Sequence, residues 1–335
     1  MDWSKGFSAR YRIATVDPVT WADIGFLDFT EGTVTRSLDG LMQSADLTMT
    51  EDPGEKWIRI YLDARSDSGG AHTAVFTGLT SAPGEDKHGR RSTFKAECYS
   101  VLQPCKDMLM PKGWSAGAGV PVNGIIADLL RVSPAPFKSE MNAPMLTEPI
   151  IAEENETNLT MIHKILDAVG WHLRIAGDGA VMLTAGHDEP AASYSALDVD
   201  VVEKDVTRTY DWYSCPNCIR VTQNDSVSEA RDDDPSSPLS TRSRGREIWA
   251  AESASGIGDA ETLDEYAQRR LRELQSPGRA ISYTRRYDPE VMPGDAVLLH
   301  YPAEHIQGLV RVSKQTITLG KGCRTQEEAE EIESD

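Results

Sequence analysis

The chain has 335 residues, room for about two to three domains at the usual ~100–200 residues each. Its 39% hydrophobic and 26% charged residues are ordinary for a globular protein, and no apolar run approaches the ~18–20 residues of a membrane helix. A formal charge of −19, from 53 acidic and 34 basic residues, repels phosphate backbones and disfavours general DNA or RNA binding.

The opening Met1-Asp2-Trp3-Ser4-Lys5 has neither the charged nor the apolar region of a signal peptide, so a product made in a cytoplasm, or assembled there, is expected. From Arg10 to Tyr99 strands alternate with turns. Tyr11–Val16 ends at Asp17-Pro18, and Thr33–Ser37 and Ala45–Thr50 flank a turn at Leu38-Asp39-Gly40. Trp57–Leu62 alternates cleanly before a turn at Ser66–Gly70; Ala74–Thr80 follows, and Ser92–Cys98 comes after the break at Pro83–Asp86. Short strands at roughly ten-residue spacing predict a sandwich or barrel.

The middle section changes character. Pro121 sits where a first helical turn tolerates it, and Val122, Ile125, Ile126, Leu129 and Leu130 recur on one helix face. Beyond a Pro-rich linker (Ser133–Pro149), a second helix starts near Asn155–Asn158, capped by Asn155 or Thr157. Its apolar stripe is Leu159, Ile162, Ile165, Leu166 and Val169, and Gly170 is suited to end it. Trp171–Ile175 then pairs with Val181–Thr184 across a Gly177-Asp178-Gly179 hairpin.

Strands return over Val199–Val202, Thr207–Tyr213 and Cys218–Thr222, while Asn224–Gly245 reads as a long exposed loop. A further helix spans 259–275. Asp259 caps it, acids lie early and arginines late, and Ser276-Pro277-Gly278 stops it. The closing strands run from Ala280 to Leu319. Near the end, apolar residues fall first at Val310 and Val312, then at Ile317 and Leu319. The buried phase switches from even to odd, so a bulge or bend near Lys314-Gln315 is predicted. Glu327, Glu328, Glu330, Glu331, Glu333 and Asp335 read as an acidic, disordered tail.

The fold class is therefore α+β and mainly β. Its parts are a first β-module over 1–100, an α/β section over 101–195, a second β-module with the amphipathic helix 259–275 over 196–320, and the tail 321–335.

Chemical motifs are few. Gly113-Trp114-Ser115-Ala116-Gly117 matches the G-x-S-x-G nucleophile elbow, but loop-like sequence on both sides denies Ser115 the strand and helix an elbow needs. Cys215-Pro216-Asn217-Cys218 supplies half of a zinc site; Cys98 and Cys105 lack knuckle spacing, and buried or turn thiols fit better. Five cysteines form no disulfide framework, so reduced thiols are expected.

Asp232-Asp233-Asp234 suits a hard cation less well than a Pro/Ser-rich surface loop. His163 and His172 have no paired ligand spacing, and the sequons at Asn155, Asn158 and Asn224 have no meaning without secretion. Thr241-Arg242-Ser243-Arg244-Gly245-Arg246 is the compact basic cluster; a contact to an acidic neighbour or another subunit is as plausible as a nucleic-acid patch. No catalytic, cofactor or metal residue is assigned.

Three stretches carry a resemblance. They are Val75-Phe76-Thr77-Gly78-Leu79-Thr80 with its "F-x-G" turn and the strand to Tyr99, followed by Ser100-Val101-Leu102; Glu154–Trp171 with the 177–179 hairpin; and Pro293-Gly294-Asp295-Ala296-Val297 with the Gly308–Gly320 run. In this order they resemble the tail hub, or baseplate hub, proteins of tailed bacteriophages and prophages. The resemblance implies a structural, non-enzymatic virion protein with two tube-protein-like β-barrels, one in each β-module. Three copies would form a homotrimeric ring, assembled in the host cytoplasm, around the DNA channel.

The implied partners are other copies of itself, the tail tube or distal tail protein, the tape-measure protein, and a tail fibre or spike. Specific nucleic-acid binding, a membrane anchor and a cofactor are not implied, and acidic side chains are expected to line the lumen. The alternatives are a tail-associated hydrolase using Ser115 or unassigned carboxylates, and a hub of a contractile injection apparatus.

Overall fold

The computed structural model of the chain describes residues 1–3, 5–38, 43–81, 84–88, 91–185, 189–198, 201–210, 212–213, 215–223, 226–253, 262–275 and 279–332. The chain divides into two units, Met1–Thr207 with Ser282–Asp335 (unit 1) and Arg208–Ile281 (unit 2).

Unit 1 opens with β1 (Ser8–Val16), β2 (Asp23–Leu27), β3 (Phe29–Ser37), β4 (Gln43–Met49), β5 (Trp57–Ser66), β6 (Gly69–Thr80), β7 (Gly84–His88) and β8 (Arg91–Ser100). It continues through α1 (Gln103–Asp107), β9 (Ser115–Ala116), α2 (Val122–Leu130), β10 (Phe137–Ser139), β11 (Ile150–Ile151), α3 (Asn158–Val169), β12 (Trp171–Ile175), β13 (Val181–Ala185) and β14 (Pro190–Ser195). β15 (Val202–Tyr210) leads into unit 2, which holds β16 (Cys218–Gln223), β17 (Ser226–Arg231), α4 (Thr241–Arg244), β18 (Trp249–Ser253) and α5 (Leu263–Leu274). β19 (Arg279–Arg286) leads back to β20 (Ala296–Tyr301), β21 (Ile306–Thr318) and β22 (Arg324–Glu331).

The mainly β, α+β class is what the chain adopts. One sheet runs in the order β15-β19-β22-β21-β3-β4-β8-β6-β5-β1-β2, with β7 beside β8, and β20 between β14 and β21. The early and late strands, expected as two barrels, are thus joined edge to edge, and no closed barrel is present among the described residues.

β21 makes the join. Its first half pairs with β20 (Tyr301↔Ile306 to Ala296↔Arg311), and its second half pairs with β3 (Lys314↔Ser37 to Thr318↔Thr33). Between the halves the register against β22 shifts at Ser313, from Val312↔Ala329 to Lys314↔Glu328. This is the bulge expected near Lys314-Gln315, one residue earlier. It turns Gln315 and Ile317 inward after Val310 and Val312.

The acidic tail is corrected by the structure over residues 324–331, which form β22 with Thr325, Glu327 and Ala329 buried; Glu333 and Asp335 lie outside the described residues. Glu327 is held by three donors. Arg285 Nη2 donates to it at 2.5 Å and Gln315 Nε2 at 2.6 Å, and the Tyr283 hydroxyl donates to its other oxygen. A buried carboxylate persists only when paired and hydrogen-bonded in this way. Burial alone would lower the Arg285 pKa, but the Glu327 carboxylate more than reverses that.

The middle section packs α2 and α3 on β12 and β13, through Ile126, Leu130, Ile162, Ile165, Leu173 and Leu183 among others. Thr157 Oγ1 accepts the Thr160 amide, and Gly170 ends α3 in the left-handed conformation at φ 65°. The β12–β13 hairpin tip is pressed against β6. Thr77 Oγ1 donates to the Gly177 carbonyl at 2.8 Å, and a Cβ on Gly177 would stand 1.9 Å from the Ala74 carbonyl oxygen.

In unit 2 the sheet β17-β16-β18 covers α5 with Ile219, Val221 and Ala230 facing Ala267 and Leu271. Thr262 caps α5: its Oγ1 accepts the Glu265 amide at 3.3 Å, and Glu265 Oε2 accepts the Thr262 amide at 2.9 Å. Asp259 and Ser276–Gly278, read as the helix bounds, lie outside the described residues, as do Asp39 and Gly40. The Asn224–Gly245 loop is corrected: it contains β17 and α4.

Candidate assembly surface

Ser115 stands exposed on β9, two residues long and paired with β11, and α2 begins only at Val122. Its hydroxyl makes no hydrogen bond among the described residues. The geometry of a nucleophile elbow is therefore absent at this serine.

All five thiols are buried, with no disulfide. Burial pushes Cys98 and Cys105 up to about 12, and raises Cys218. No group of three or more His, Cys, Asp or Glu arranged to hold a metal is found among the described residues. In the C-x-x-C segment the organising residue is Asn217, which sequence reasoning passed over. Its amide donates to the Leu239 and Arg246 carbonyls at 3.2 and 2.9 Å and its oxygen accepts the Ile248 amide at 2.7 Å.

The three aspartates of the 232–234 run serve their own loop. Asp232 Oδ2 accepts Ser237 Oγ at 2.7 Å, Asp233 accepts the Thr241 hydroxyl, and Asp234 Oδ1 accepts the Ser236 amide at 2.8 Å. His163 and His172 lie on α3 and β12; burial lowers the His172 pKa.

The surface features point to assembly instead. β2 ends the sheet path, so its outer edge has no strand beside it among the described residues. Ile24 is 67% and Phe26 66% exposed on this strand, and Val19 in the preceding turn is 90% exposed. The strand is nevertheless firmly held. Asp23, its first residue, accepts Arg59 Nη1 at 2.9 Å and the Tyr61 hydroxyl at 2.8 Å. Trp21 donates its indole N–H to the Asp178 carbonyl at 3.1 Å and packs at a tilt of 59° against Trp57, with ring centroids 5.6 Å apart.

The opposite end of the path is built differently. There the unit 1 part of β15 presents Glu203, Lys204 and Asp205 to solvent, charges that discourage strand addition. An open edge bearing two outward apolar side chains invites a partner, whereas a charged edge repels one. Sequence reasoning missed β2 because the break at Asp17-Pro18 obscured the short strand beyond it. The alternation of Ile24 and Phe26 between Asp23 and Asp28 was the available signal.

No protein-family model and no curated protein matches the sequence. Solved structures do match. The chain is similar to a tail protein from Neisseria meningitidis (TM-score 0.69, 15% identity, 96% of each chain covered). It is similar to the 43 kDa tail protein of prophage MuSo2 from Shewanella oneidensis (TM-score 0.61, 12% identity, 97% of each chain). A third match is an E. coli component of the type VI secretion system that shows structural similarity to the bacteriophage T4 tail proteins gp27 and gp5 (TM-score 0.52, 12% identity, 92% of this chain and 74% of that one). The chain has the fold of phage tail proteins over nearly its whole length, so the resemblance read from sequence holds at the level of fold.

Proposed function

We propose that the chain is a structural tail protein of a phage or prophage virion, acting as the hub at the tail tip. Three copies form a ring that joins the tail tube to the tip, fibre or spike and surrounds the DNA channel. Its partners are then neighbouring copies, the tube or distal tail protein, the tape-measure protein and a fibre or spike. The observation that carries this reading is the fold likeness to tail proteins along almost the full length of both chains. The open apolar edge of β2 supports it, because a ring supplies the neighbour such an edge lacks.

Sedimentation of the purified chain, alone and mixed with the tail tube protein encoded beside it, tests the proposal. A particle of three chain masses, or a monomer that closes into a ring on the tube, is expected. A chain that stays monomeric in both settings sinks it. The likeness to a secretion-system component keeps a contractile injection apparatus as the second reading. A tape-measure gene upstream with fibre genes downstream favours the virion, and secretion-system genes on both sides favour the apparatus.

A further inference from the structure

The basic cluster Thr241–Arg246 lies in unit 2. Arg244 Nη1 donates to the Cys215 carbonyl at 2.7 Å, and its Nη2 to the Trp212 and Tyr213 carbonyls at 2.5 and 3.3 Å. One guanidinium thus ties down the turn that carries two large aromatics. Both remain outward, Trp212 45% and Tyr213 74% exposed. The Arg246 guanidinium lies 4.3 Å from the Tyr213 ring centroid, and Arg242 and Arg246 are themselves exposed.

The charges here are unlike those on the neighbouring sheet. Arg220 pairs with Glu229, and Arg231 with Asp233 and Glu247, as surface arginines ordinarily do. Arg242, Arg244 and Arg246 form no ion pair within 4.0 Å among the described residues. The nearby Asp233 carboxylate is already engaged by Thr241 and Arg231. Trp, Tyr and Arg are the side chains that dominate protein interfaces, and an arginine stacked on a ring keeps its donors directed outward.

We propose that this arginine–aromatic platform docks an acidic surface of a neighbouring copy of the same chain. Charge complementarity names the occupant: with 53 acids against 34 bases, a second copy offers the carboxylates that these arginines lack locally. A nucleic acid would meet the same arginines but would be repelled by the rest of a −19 chain. The contact rests on the proposed ring and adds an electrostatic contact to it.

The test is self-association of the full chain, with and without tube protein, followed by sedimentation at low and high salt. Arg246→Glu is expected to weaken association about ten- to a hundredfold and to flatten its salt dependence. Arg242→Glu acts in the same direction, with circular dichroism unchanged in both. A photo-reactive phenylalanine analogue in place of Tyr213 is expected to cross-link to acidic peptides of a second copy. Assembly that survives both charge reversals, or cross-links that never reach a second copy, overturns the platform and leaves the ring standing. A wild-type chain that never associates overturns both.

Discussion

Arg285 and Glu327 form an ion pair whose two side chains are entirely removed from water. The pair follows from the bulge at Ser313. That shift turns Gln315 inward, directly opposite Glu327 on β22, and a polar pair inside a sheet needs further donors. Arg285 and Tyr283 on β19 supply them, so three strands are locked in one register.

Glu327→Ala leaves a buried guanidinium without its acceptor and is expected to destabilise the fold by about 3–5 kcal/mol. The double variant Arg285→Met with Glu327→Leu is expected to lose far less, because it removes both charges. Urea denaturation of the wild type, Arg285→Met, Glu327→Leu and the double variant gives the coupling. Losses that simply add would show that the pair does not act as a unit.

Gly177→Ala drives a methyl group into the Ala74 carbonyl, and an overpacked contact of this kind costs about 1–3 kcal/mol. Gly124→Ala is the contrasting case. It lies in α2 with no atom within 4 Å of the added Cβ, and a gain of about 0.5–1 kcal/mol is expected. Thermal melts of the two variants are expected to move in opposite directions.

Ile24→Lys and Phe26→Lys place charge on the open edge of β2. At such exposed positions the stability of the chain is expected to change by no more than about 0.5 kcal/mol. Ring formation, however, is expected to fail. Unaltered sedimentation of both variants would place the seam elsewhere.

Burial raises the thiols of Cys98 and Cys105 to about 12, and of Cys323 to about 11, from an ordinary value of 9.0. Between those values the unfolded chain has released protons that the folded chain still holds. Rising pH therefore favours unfolding. The urea midpoint is expected to fall from pH 9 towards 11, while below pH 9 these groups contribute no pH dependence. Thiol reagents at pH 8 are expected to react only after denaturation.

The local architecture was largely legible in the residues. The apolar spacing of α2 and α3, the Gly170 terminator and the 177–179 hairpin all reappear as read, and of the two caps read for α3, Asn155 or Thr157, the structure uses Thr157; each depends on neighbours within a few positions. The Thr262–Glu265 capping box was also written in the sequence, although Asp259 is the more conspicuous cap. In contrast, β17 and α4 flank the Asp232–Pro238 run, whose Asp and Ser side chains hydrogen-bond their own turn and give the whole stretch the look of a loop.

The sequence by itself determined the helical period of α2 and α3 and the switch of buried phase near Ser313. Strand alternation states which residues share a face, but it does not say whether that face or edge is covered. That depends on partners far away in the chain. Only the tertiary structure decided that an acidic terminal segment is a core strand, because its acceptor meets Arg285 42 residues earlier. It likewise decided that β2, and not β15, presents an apolar edge on which a neighbouring molecule could add.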